Sequence, residues 1–75
     1  MSTPTTDRAA IVLQQIDARI AAIAGNWPDE SRALRCLKTA IEGTARRLTM
    51  TDYNPEKADC IEILTAICDT WEAGR

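Results

Sequence analysis

The residues that could do chemistry are few, and histidine is not among them: the 75-residue chain contains none. That removes Ser-His-Asp and Cys-His nucleophilic arrangements and every zinc set built on imidazole. Cysteines stand at Cys36, Cys60 and Cys68. Three thiols are too few for a four-thiolate site in one chain. Cys60 and Cys68 share one expected helix and lie about 12 Å apart along its axis. A disulfide needs Cα atoms within about 7 Å, so these two cannot pair there. All three are expected to be reduced, buried and to act as small hydrophobes.

Carboxylates remain as candidate acids and bases. They fall on expected solvent faces, where nothing would raise a pKa toward neutrality. Asp52-Tyr53-Asn54-Pro55-Glu56 has oxygen ligands at alternate positions, like the opening of an EF-hand loop. That loop needs glycine at its sixth position and glutamate at its twelfth. Lys57 and Ile63 stand there instead. No glycine-rich phosphate loop exists, with glycines only at 25, 43 and 74. The expectation is a protein with no catalytic residue, no metal site and no cofactor, and not an enzyme.

Three constellations fit binding rather than catalysis. Arg32, Arg35 and Arg46 fall within about 60° of one another on a helical wheel, opposite an apolar stripe. Glu42 interrupts them, one turn from Arg46 and from Lys38. They form either a docking surface for an acidic partner or a solvated face satisfied by local pairs and by neighbouring helices. Ile11, Ala18 and Ala22 lie on the rear of the first helix, where polar residues are expected. A helix apolar on two faces is usually covered on two faces, although alanine is also a good helix former at exposed sites. Trp27 and Trp71 sit at helix ends that an up-down-up bundle would bring together. They would close the core as a lid or stand out as an aromatic anchor.

These side chains need helices to position them, and the pattern supplies three. No stretch alternates with period two, and each segment repeats at helical spacing. Gly25-Asn26-Trp27-Pro28-Asp29 and Thr51-Asp52-Tyr53-Asn54-Pro55 punctuate the chain, because glycine and asparagine end helices and proline opens the next. The first helix is expected over 5–24, with Leu13, Ile16, Ile20 and Ile23 as its stripe and Ala9, Val12 and Ala24 beside it. Its cap is Thr3-Pro4 or Thr6-Asp7. The second spans 29–48, capped by Asn26 or Asp29, with Leu34, Leu37, Ile41 and Leu48 inward and Ala33, Ala40, Thr44 and Ala45 at the sides. Gly43 marks a close crossing or a weak point in it. The third spans 55–72 with Asn54 as N-cap. Its apolar face, Cys60, Ile61, Ile63, Leu64, Ile67, Cys68 and Trp71, is about 160° wide.

Similar helix lengths and short connections favour antiparallel neighbours. The fold class is therefore all-α, a small up-down-up three-helix bundle. It forms one domain over 1–75, with 1–4 and 73–75 flexible.

Nine basic and eleven acidic residues give a net charge of −2 and a pI near 4.9. A general nucleic-acid binder usually shows a basic excess, and a DNA-reading last helix would be basic where this one is acidic. No secretory leader or membrane span is apparent, so a cytoplasmic protein is expected. A chain this short buries only roughly 60 % of its unfolded surface. That favours a homodimer through helix one over a monomeric bundle.

The functional expectation is a small protein-binding regulator, adaptor or inhibitor that occludes a partner stoichiometrically. Its composition fits a bacterial or phage accessory protein, an inhibitor of a host system among them. The alternative is a nucleic-acid-associated regulator using the arginine surface of helix two.

Overall fold

The computed structural model describes residues 4–23 and 25–74. Three helices follow one another: α1 (Thr5–Ile23), α2 (Pro28–Met50) and α3 (Asn54–Ala73). All three expected helices are present, and each packs against both others. Thr3 and Ala24, expected in the first cap and stripe, lie outside the described residues, as do 1–2 and 75.

The local signals act much as expected, with shifts at the ends. α1 begins with the Pro4 carbonyl accepting from the Arg8 N–H at 3.0 Å, so Thr6-Asp7 is inside the helix and not its cap. It stops at Gly25, whose φ of +80° is left-handed backbone open to glycine at little steric cost. The Asn26 N–H then donates to the Ile23 carbonyl at 3.0 Å. Trp27, not Asn26 or Asp29, holds the N-cap position of α2, with Pro28 opening the helix and no side chain capping it. α2 runs two residues beyond Leu48, to Met50. At α3 the N-cap position belongs to Tyr53 rather than Asn54. Thr51 braces this turn: its hydroxyl accepts from the Tyr53 N–H at 3.2 Å and donates to Glu56 at 3.0 Å. Ala73 closes α3 as part of the helix rather than as a loose tail.

The core is narrow. Ala9, Val12, Ile16 and Ile23 of α1, Leu34 and Ile41 of α2, and Cys60, Leu64 and Cys68 of α3 are its buried apolar side chains. Leu13, Ile20, Leu37, Ala45, Leu48, Ile67 and Trp71 pack at its edge. Ala33 and Ala40, expected at the sides of the α2 stripe, are exposed. The inward face of α3 is also narrower than its sequence suggested. Ile61 and Ile63 keep 42 % and 49 % of their surface in solvent, because α1 and α2 contact only the strip between them.

Ion pairs show how the helices are set. Lys38–Asp17 at 2.7 Å and Arg19–Glu30 at 3.0 Å tie α1 to α2 in antiparallel sense. Arg47–Glu56 at 3.4 Å spans the turn from α2 to α3. A third junction was not anticipated. Arg8 near the start of α1 reaches Asp69 and Glu72 at the end of α3, at 2.5 and 2.7 Å. Gln15 accepts a 2.7 Å hydrogen bond from the Trp71 indole. About 10 Å of helix rise separates Arg8 from Gln15, yet both meet the last turns of α3. α1 is therefore tilted across the α2–α3 pair, and its start does not lie beside the second connection.

Gly43 is not at a close crossing. A methyl group placed there would meet nothing within 4 Å. The two interhelical and intrahelical glycines should therefore respond with opposite signs in urea denaturation. Gly43→Ala should stabilise by about 1 kcal/mol through helix propensity. Gly25→Ala should destabilise by about 1–2 kcal/mol, because alanine resists the left-handed backbone.

Candidate interaction surfaces

The rear of α1 is uncovered. Ile11 is 51 % exposed, and Ala18 and Ala22 are exposed beside it. On the opposite side of the same helix Ala9, Val12 and Ile16 are at most 1 % exposed. The bundle thus uses one face of α1 and leaves a second apolar strip in water.

Arg32, Arg35 and Arg46 are all exposed on α2. The local pairing that would have accounted for them is absent: among the described residues none of the three makes an ion pair, and neither does Glu42. Lys38, the other base within a turn of Glu42, makes its salt bridge to Asp17 and feels the Glu42 charge only at longer range. The cations that bind neighbouring helices are Arg8, Arg19, Lys38 and Arg47. The three on the outer strip of α2 are left over, and so is Lys57 on α3.

The tryptophans take separate roles. Trp71 is half-buried, packs against the core and is held by Gln15. Trp27 is 61 % exposed and does not join the core. The paired lid does not form. The tilt of α1 places Gln15 against Trp71, and the indole is satisfied there.

One concavity was not legible in the sequence. A half-open cleft of about 780 Å³ lies where α2 and α3 diverge, lined by Leu34, Leu37, Ile67 and Trp71, with the Arg19–Glu30 pair at its rim. Its volume falls in the range of about 300–1,000 Å³ typical of ligand clefts. The spacing Leu34-Leu37 and Ile67-Trp71 was visible as core stripe. That Leu37, Ile67 and Trp71 would be only partly covered depends on where α1 crosses.

The cysteines divide. Cys60 and Cys68 are buried and Cys36 is exposed, which corrects the expectation of three buried thiols. Cys36 lies on the outer side of α2, away from the stripe of Leu34, Leu37 and Ile41. Burial raises the Cys68 thiol above its ordinary value of 9.0, against the nearby positive charge of Arg8. Lys38 is raised above 10.5, first by its hydrogen bond to Asp17 and then by that residue's charge. Arg8 is raised by its hydrogen bonds to Glu72 and Asp69. No described helix is long and apolar enough to cross a membrane.

No family model matches the chain, and no curated protein or solved structure matches it either. The surfaces must be interpreted from their own chemistry.

Two measurements check the thiol and ion-pair assignments. An aromatic disulfide reagent should modify Cys36 quickly, and Cys60 and Cys68 only as fast as the fold opens. Stability should also fall on the alkaline side. The raised Cys68 contributes fully below pH 9.0 and loses its contribution as pH rises through its folded pKa. Lys38 does the same above 10.5. Urea midpoints should therefore decline as pH rises above 9.0, and Lys38→Met should flatten the part of that decline above 10.5.

Proposed function

We propose that this chain is a small non-enzymatic protein-binding regulator, adaptor or inhibitor that acts by occluding a partner protein. The observation that carries this reading is the second apolar face of α1. Ile11, Ala18 and Ala22 lie in water on a helix whose other face is already buried. An isolated exposed isoleucine is ordinary. Ala18 and Ala22 resume the strip about two and three turns on, past Gln14, and such a recurring second apolar face is what a helix shows when a second surface covers it.

A second copy is the simplest cover. A homodimer through α1 would supply burial that a 75-residue core lacks. It leaves the exposed Trp27 and the outer strip of α2 for another protein. The chemistry of these surfaces is that of recognition: an apolar strip, an aromatic side chain and arginines without ion pairs among the described residues. The composition fits the small accessory proteins of bacteria or phages, inhibitors of host systems included, and a cytoplasmic setting.

Light scattering at micromolar concentration should give twice the chain mass of 8.3 kDa. Ile11→Glu should return it to one chain, with an unchanged helical circular dichroism spectrum. A wild-type mass of one chain would remove the dimer. A partner captured equally by wild type and Ile11→Glu would remove this face from partner binding.

A further inference from the structure

Within this protein, the cations sort by what they touch. Arg8, Arg19, Lys38 and Arg47 each hold one helix to another. Arg32, Arg35 and Arg46 hold nothing among the described residues, and all are exposed on one strip of α2. Glu42 lies in the same strip, exposed and without a salt bridge, its charge acting on Lys38 one turn away. From the start of α2 outward the sign order is plus, plus, minus, plus, extending about 21 Å from Arg32 to Arg46.

We propose that this strip docks an acidic helical segment of a partner protein, with carboxylates opposite Arg32, Arg35 and Arg46 and a basic side chain opposite Glu42. This rests on reading the chain as a protein-binding module and names the chemistry of what it binds. Arginine suits the role, since its planar fork pairs with carboxylates through two parallel hydrogen bonds. The spacing sets a register. Arg32 and Arg35 are one turn apart and select acids three residues apart on a helix laid alongside. Arg46 lies about three turns further on.

The same strip fits nucleic acid poorly. A duplex presents negative charge about every 1.7 Å along its axis without interruption. Such a run would place phosphate against Glu42, on a chain of net charge −2. A protein segment can place a lysine at that point.

The test uses two fluorescein-labelled helical peptides of identical composition, read by anisotropy against the full chain. One carries glutamate opposite the three arginines and lysine opposite Glu42, and the other has that order scrambled. The matched peptide should bind, should weaken with added salt, and should lose about tenfold or more in affinity with Arg32→Glu/Arg35→Glu. That variant should keep its fold, because neither side chain makes an ion pair within it. Equal binding of both peptides, unchanged binding by the double variant, or tighter binding of a duplex DNA probe at the same salt would overturn the proposal. Peptide binding that survives in a chain shown to be monomeric would remove the helix-one dimer and support this strip. Self-association through Ile11 without peptide binding would overturn this strip alone.

Discussion

Three helices of this length can each bury one narrow strip, and everything else in the structure follows from how little that is. The fully buried side chains, led by Ile16, Ile41, Leu64, Val12 and Cys68, include no aromatic ring. Small inward residues, Ala9 among them, let α1 approach the other helices closely. The charged junctions then sit around the rim of this core. Each lies at the surface, where solvent screening keeps its net contribution to stability small. Their effect is more on which arrangement forms than on how stable it is. Arg8 illustrates this: with Asp69 and Glu72 it joins the start of α1 to the end of α3, a contact that the tilt of α1 allows.

The tilt explains several features together. It brings Gln15 to Trp71, so the indole is satisfied and Trp27 is left outside. It leaves a cleft beside Leu34, Leu37 and Ile67. It also turns Ile11, Ala18 and Ala22 away from both neighbours. α1 is the helix with the largest share of apolar residues on two sides, and it is the helix that crosses the other two. Charge is distributed in parallel with this. Arg8, Arg19, Lys38 and Arg47 are paired across helices, and Arg32, Arg35 and Arg46 on the outer strip of α2 are not.

Much of the fold was legible because it is written in local signals. The period of apolar residues, Gly25, Pro28 and Pro55 each act within a few residues of themselves, and the helices lie where these signals put them. The inward residues Val12, Ile16, Ile41 and Leu64 follow from the same period. What could not be read depends on distant partners. Arg8 and Glu72 are at opposite ends of the chain, and nothing in spacing pairs them. The exposure of Ile61, Ile63 and Cys36 depends on the width of the contact strips, which periodicity does not measure. The expected caps lie one or two residues from Trp27 and Tyr53, since Pro28 takes the first helical position and Pro55 the second. The candidate surfaces were legible as composition: the arginine arc and the rear of α1 were both visible on a wheel. Whether the arginines would be used internally was not, since it turned on the geometry of α1 and α3.

The central claim is that α1 has one face for the bundle and a second for another chain, and that the fold gains from the second. Thermal unfolding followed by circular dichroism over a wide range of protein concentration tests it most directly. Association that stabilises only the folded state raises the midpoint with concentration by mass action. The account predicts a midpoint that climbs with concentration in the wild type and is flat in Ile11→Glu. A wild-type midpoint independent of concentration, equal to that of the variant, would contradict it.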